Sequence, residues 1–399
     1  MISRWRRPFN FRMLPKECVN TIDDVLTCLS SAPCVTSWTR TMTLPIDISE
    51  LEPAELGVAI EQLGAQGFHA RQIYQWIYRR GVSDFGLMTD LSLGLRQQLE
   101  QSFIVSTPTI EKRQRSADDT EKLLLRLNDG HLVESVFIPD TPRQAFCVST
   151  QVGCAMRCGF CLTGKMSLAR NLTAGEIVGQ VRRFAHTLEL AETSFNVVLM
   201  GMGEPLHNYD ATMKALRILT AESGFAMPSR RITLSTVGVP AGLIRLAHEA
   251  VMPNIAVSLH AATEDLREQL VPVNRTYSLV DVIAACREFP VARRRRITFE
   301  YVMLDRVNDS VSDAHRLATL LRGIRSKINL IPLNEAPGIP FRRPSDARVD
   351  QFARTLVNQG ATVSVRKSRG RDIRAACGQL IVEGSAASPA QSLAARMNK

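Results

Sequence analysis

From Ala145 onward, short apolar runs alternate with longer stretches whose apolar positions recur every three or four residues. The runs predict strands at 145–150, 196–200, 232–235, 255–259, 297–303, 328–333 and 362–366. The amphipathic stretches predict helices at 174–189, 209–220, 240–250, 278–288, 311–323 and 346–358. Strand followed by helix, repeated in this way, predicts an α/β fold in which a parallel sheet curls into a full or partial barrel, with its site at the C-terminal strand ends.

Upstream the period changes. Leu56, Ile60 and Leu63 share one helical face, Ile73, Trp76 and Ile77 a second, and Leu91, Leu95 and Leu99 a third, which predicts a small helical domain over 45–105. Its second helix carries Arg71, Tyr74, Tyr78, Arg79 and Arg80, a set that fits either an RNA-facing surface or a solvated face of snorkelling side chains. Two β-rich runs flank Asn128-Asp129-Gly130, a strong hairpin signal, so 106–144 reads as a β extension joining the helical domain to a core over 145–380. Residues 1–41 have no hydrophobic period and no acid before Glu17; they fit a disordered extension, a transit-like leader or a start misassigned upstream of Met42. Residues 381–399 read as a flexible tail.

Polar or glycine-rich features fall at five of the predicted strand ends. A cysteine-rich loop follows the first strand, and Gly201-Met202-Gly203-Glu204-Pro205 follows the second. Ser235 ends the third, Ser258-Leu259-His260 the fourth, and Asn334 the sixth. A barrel would gather all of them at one mouth.

The loop is the most specific of these, because Cys154, Cys158 and Cys161 stand at spacings of four and three residues with no fourth cysteine nearby. A closed zinc site and an ordinary iron–sulfur electron carrier both want four ligands. Three thiolates leave one iron of a [4Fe–4S] cluster open to chelate S-adenosylmethionine (SAM), which is the signature of the radical SAM superfamily; the other reading is a zinc site completed by a distant His. Cys147 lies seven residues before the loop, and strand alternation sets it opposite Phe146 and Val148, so it points into the barrel if those two pack on helices. Cys377 lies in Ala375-Ala376-Cys377-Gly378-Gln379. Cys286, in an apolar helix, reads as core, and Cys18, Cys28 and Cys34 receive no role.

Nine cysteines without a secretory signal argue for a reducing compartment, and the cytoplasm is expected. No apolar run reaches the roughly 18 residues that a membrane helix needs. The net charge of +10 is carried mostly by Arg, with runs at 293–296, 342–343 and 366–371. Arginine forks match phosphate oxygens and stack on bases, so RNA fits this charge better than a membrane surface does; the other reading is a high-GC coding bias that enriches Arg without a binding role.

Taken in order, Cys147, the three-cysteine loop, Asn171-Leu172-Thr173, Gly201-Met202-Gly203-Glu204-Pro205-Leu206, Leu234-Ser235-Thr236-Val237-Gly238, Ser258-Leu259-His260-Ala261, Pro332-Leu333-Asn334 and Arg369-Gly370 followed by Ala375-Ala376-Cys377-Gly378-Gln379 resemble the dual-specificity RNA methyltransferase family of radical SAM enzymes. The resemblance runs from about Ile48 to Leu380. It implies a partial (βα)6 TIM-like barrel carrying one [4Fe–4S] cluster on Cys154, Cys158 and Cys161, with SAM contacts at Gly203, Glu204, Ser235, Ser258, Leu259, His260 and Asn334. It further implies methylation of adenosine carbon-2 in 23S rRNA and in tRNA, two SAM molecules per turnover, and an external electron donor such as flavodoxin. Cys377 would carry the methyl group, Cys147 would release the product by forming a transient disulfide with it, and Glu134 would accept a proton. A monomer is expected. Arg371 departs from the pattern, standing where many relatives show an acid. The rival readings are a carbon-8 adenosine methyltransferase using the same cysteine pair and, in another class, a radical SAM activase or an iron–sulfur RNA-binding protein.

Overall fold

The computed structural model describes residues 45–139, 144–191 and 193–382. Its centre is a ten-stranded sheet: β1 (Thr109–Arg115), β2 (Glu121–Arg126), β3 (Leu132–Ile138), β4 (Ala145–Cys147), β5 (Asn196–Leu199), β6 (Ile232–Thr236), β7 (Asn254–Ser258), β8 (Ile297–Met303), β9 (Ser326–Pro332) and β10 (Val363–Val365). Each strand pairs with its neighbour in the chain, antiparallel from β1 to β4 and parallel from β4 to β10. The order ends at β1 on one side and β10 on the other, so the barrel stays open.

Helices α4 (Ala174–Thr187), α5 (Tyr209–Thr220), α6 (Pro240–Leu246), α7 (Glu264–Leu270), α8 (Leu279–Glu288), α9 (Val311–Leu320) and α10 (Asp346–Asn358) fill the crossovers, giving six βα units and then the edge strand β10. Local chemistry starts them where it should. Thr173 and Glu176 form a reciprocal capping box on α4, and Ser310 and Asp313 do the same on α9. Phe146 of β4 stacks on Phe184 of α4, with ring centroids 5.2 Å apart, so it faces the helical layer and Cys147 turns inward as alternation requires. Gln180 of α4 pins the chain beyond β4: its amide accepts from Ser149 N (2.8 Å) and donates to Ser149 O (2.9 Å).

Several expectations are corrected. The first predicted strand stops at Cys147; the chain then bends, and Gln151–Val152 pair antiparallel with Arg170–Asn171. The helices expected to reach residues 250 and 323 end at Leu246 and Leu320. Helix α7 and strand β1 were not expected; β1 is nearly all exposed and exists by its ladder to β2, which a polar sequence does not announce.

In the N-terminal region, α1 (Pro53–Gln62), α2 (Phe68–Tyr74) and α3 (Leu93–Ser102) form the expected helices. The RNA-facing surface proposed for the second of them does not exist as an aromatic surface. Tyr74 and Tyr78 are fully buried, Tyr78 packing near Phe225, and Arg79 donates to the carbonyls of Gly224 and Glu222 at 2.8 Å. Arg71, Arg79 and Arg80 remain exposed. The readings for residues 1–41, including Cys18, Cys28 and Cys34, and for the tail beyond Val382 lie outside the described residues.

Candidate active site

The parallel strands end around a cavity of about 900 Å³, counting its open mouth. Cys154, Cys158 and Cys161 line it together with Gly203, Glu204, Ser235, Ser258, His260, Asn334 and Cys377. The cysteine loop, unpaired with any strand, takes its shape from turns, with Arg157 at φ 54° and Gly153 at φ 80°. Burial pushes the Cys154 thiol up to about 12 and the Cys158 thiol well above its ordinary value, each raised further by the nearby Cys161. Among the described residues no three His, Cys, Asp or Glu side chains converge tightly enough to hold a single ion. A polynuclear cluster takes each thiolate on a different iron, so three cysteines spread around one cavity fit it.

Glu204 closes one wall. Its carboxylate accepts from Leu206 N (3.0 Å) and Val237 N (2.8 Å), and its own N–H donates to Gln151 Oε1 (2.8 Å). Burial raises its carboxyl to about 7 against those hydrogen bonds, leaving an acceptor that a cationic ligand would ionise. Gly203 beside it sits at φ 106°, where a Cβ would come within 2.6 Å of Gln151, so this turn requires glycine.

His260 stands edge-on to Phe160 of the cysteine loop, with ring centroids 4.6 Å apart, and its Nδ1 accepts from Val302 N (3.1 Å). Burial, helped by the Arg267 charge, lowers it to about 3, so the imidazole is neutral with its proton on Nε2. Asn334 donates to Cys377 O (3.4 Å), and its Oδ1 is buried without a partner. That orphan acceptor, together with two serine hydroxyls and the Glu204 carboxylate, suits a ligand carrying amino, ribose and adenine groups.

Cys377 sits where this cavity meets a smaller one of about 460 Å³ lined by Cys147, Arg366 and Ala376. Both thiols are free. The Cys377 loop is bound to the cysteine loop by Leu162 N to Gly378 O (2.7 Å) and by Thr163 Oγ1 to Leu380 O (2.6 Å). Across the sheet, Asp118 accepts from Gly370 N (2.9 Å), Asp372 accepts from Ser116 Oγ (2.5 Å), and Lys122 donates to Arg374 O (3.4 Å). Asp118 and Asp372 thus anchor the loop that carries Arg371.

Two expected residues stand apart. The side chain of Leu259 is fully buried and outside the cavity lining, while its N–H donates to Glu300 O (3.0 Å), so any ligand contact would be through its backbone. Glu134 lines a separate cavity with Lys122 and Arg374, its carboxylate paired with Lys122 (2.7 Å) and accepting from Ile381 N (2.8 Å). Two residues were missed: Glu300, buried on the main cavity wall, and Arg366, beside both thiols. A lone acid in the apolar run 297–303 and an arginine at the end of the last strand were the available signals.

An open, mostly parallel barrel with three cysteines in the loop after its first parallel strand defines a radical SAM enzyme. The model of the radical SAM superfamily matches residues 148–318, and that of the ribosomal RNA large subunit methyltransferase N-terminal domain matches 46–105. Dual-specificity RNA methyltransferase RlmN of Syntrophobacter fumaroxidans is 47% identical over 85% of this chain and 99% of its own length. The RlmN of Geobacter sulfurreducens is 48% identical over 85% and 93%. A crystal structure of a radical SAM methyltransferase from Sphaerobacter thermophilus superposes with a TM-score of 0.80 at 46% identity, over 84% of this chain and 99% of that one. The chain belongs to the RlmN family of dual-specificity RNA methyltransferases. A [4Fe–4S] cluster and SAM are the cofactors that this membership brings. Among the described residues no helix is long and apolar enough to cross a membrane.

Proposed function

We propose that this protein methylates carbon-2 of an adenosine in 23S rRNA, and of one in tRNA, through a methyl group first held on Cys377. The observation that carries the reading is the position of Cys377, which lines the cavity of Cys154, Cys158 and Cys161 and also the cavity of Cys147. Family membership supports RNA as the substrate, and the excess of arginine suits it.

Carbon-2 of adenine lies between two ring nitrogens and offers no lone pair, so displacement chemistry cannot methylate it. The Cys377 thiolate would take a methyl group from one SAM, its proton passing to solvent and S-adenosylhomocysteine leaving. Cys154, Cys158 and Cys161 would hold the cluster, which when bound supplies the electron that splits a second SAM and generates the radical. The S-methyl group on Cys377 would then give up a hydrogen atom to that radical, and the carbon radical left on it would add to carbon-2, joining protein to RNA. After the adduct gives one electron back to the oxidised cluster and loses the carbon-2 proton to a base, the Cys147 thiolate would attack the Cys377 sulfur. The sulfur–carbon bond breaks, its electron pair takes a proton to complete the methyl group, and a Cys147–Cys377 disulfide remains. Glu134 as the proton acceptor demands that bound RNA draw its carboxylate away from Lys122 and Ile381.

The test is anaerobic reconstitution with iron and sulfide, followed by assay with an unmodified rRNA fragment, a tRNA, SAM and a reductant. Nucleoside mass spectrometry is expected to show 2-methyladenosine in both RNAs, with about two SAM consumed per methyl, following the two roles assigned to SAM. Only 8-methyladenosine would overturn the choice of carbon, and an unmodified tRNA would overturn the second substrate.

A further inference from the structure

Behind the cysteine loop lies a buried positive charge. Arg267 of α7 is fully buried. Its Nη1 donates to Asn274 Oδ1 (2.6 Å) and Tyr277 O (3.3 Å), its Nη2 donates to Val237 O (2.5 Å), and its Nε has no partner. All of those acceptors are neutral; the nearby Glu264 is reached through Asn274, whose Nδ2 donates to it at 2.7 Å. A desolvated guanidinium without a direct carboxylate partner is costly unless another negative charge faces it.

The cysteine loop is placed to provide that charge. Gly159 N donates to Leu270 O (3.0 Å), which ties the residue after Cys158 to the last turn of α7, three positions from Arg267. Val237 and His260, on the cavity wall, flank the same guanidinium. A [4Fe–4S] core on three thiolates carries net negative charge and gains more on reduction, so a fixed cation in this low-dielectric site favours the reduced form.

We propose that Arg267 is the countercharge of the cluster and raises its reduction potential, acting as a positioning residue for the electron rather than for SAM. The proposal rests on the reading of Cys154, Cys158 and Cys161 as the cluster ligands. The electron comes from an external low-potential donor and resides on iron; Arg267 keeps its proton throughout.

The test is a redox titration followed by electron paramagnetic resonance, on the cluster-loaded full chain as wild type, Arg267→Lys and Arg267→Gln. At the wild-type midpoint the reduced-to-oxidised ratio is expected to fall about tenfold in Arg267→Gln, which is 59 mV for a one-electron couple, and by less than about threefold in Arg267→Lys. An unchanged midpoint in Arg267→Gln, or an equal shift in both variants, would overturn the proposal. So would an Arg267→Gln chain that fails to fold or to load iron, since Arg267 would then belong to the scaffold. A wild-type chain that takes up no paramagnetic cluster would remove the ligand reading itself, and the proposal with it.

Discussion

Cys377 and Cys147 line one small cavity, and of the two only Cys377 also lines the larger cavity that holds the three loop cysteines. That asymmetry assigns them different work: a methyl carrier must reach SAM, whereas a resolving thiol needs only to reach the carrier. Cys147→Ala is therefore expected to accumulate protein covalently joined to RNA, visible as a slow band on a denaturing gel. Cys377→Ala is expected to give neither product nor adduct. Sustained turnover by Cys147→Ala would contradict the assignment.

Carrying a methyl group requires the Cys377 thiolate, and burial pushes that thiol above its ordinary value while the Arg366 guanidinium pulls it back. Removing the guanidinium should raise the thiol further. Arg366→Met is expected to slow alkylation of Cys377 by iodoacetamide about tenfold at pH 8, the effect of one added pKa unit, with the difference vanishing at high pH. Arg366→Lys should lie between. Peptide mass spectrometry separates this modification from that of Cys147, and equal rates for all three proteins would rule out the electrostatic role.

Much of this arrangement was legible in the chain because the residues involved occupy strand ends, and hydrophobic periodicity locates strand ends well. Glu204, Ser235, Ser258 and Asn334 stand at or just beyond predicted strand ends, and all four line the cavity. Long-range pairing was not legible. Asp118 meeting Gly370, Lys122 meeting Arg374 and Arg267 meeting Val237 each join segments far apart in sequence, and no local propensity encodes them. The misjudged tyrosines teach the same lesson: Tyr74 and Tyr78 have the composition of an RNA surface, and only the neighbouring Phe225 reveals that their face is core.

The Glu204 carboxyl, held near 7 by burial, makes both stability and SAM binding depend on pH. Its folded value lies above the unfolded one, so the folded empty protein holds the extra proton between about 4.5 and 7, and this group's contribution to stability declines as pH rises through that window. A bound ammonium group prefers the carboxylate, so SAM binding below pH 7 must expel the proton. The Kd for SAM is expected to weaken by up to about tenfold per pH unit below 7, and this dependence should disappear in Glu204→Gln. Calorimetry in buffers of different ionisation enthalpy would count the proton; a Kd equally pH-independent in wild type would contradict the linkage.

Lys122 and Glu134 tie down both sides of the Cys377 loop, Lys122 through Arg374 O and Glu134 through Ile381 N, and they pair with each other at 2.7 Å while almost fully buried. Removing one partner takes the ion pair away from the other. Lys122→Met is expected to cost about 3–5 kcal/mol by urea unfolding, and Lys122→Met/Glu134→Gln to recover a large part of it, because the double change removes both buried charges together. Hydrogen exchange at Ala375–Leu380 should rise in the single variant and fall back in the double one. The double variant, folded but lacking the carboxylate, then isolates the chemical role of Glu134. If Glu134 accepts the carbon-2 proton, RNA adduct builds up without product; if it serves only to hold the loop, methylation proceeds at close to the wild-type rate.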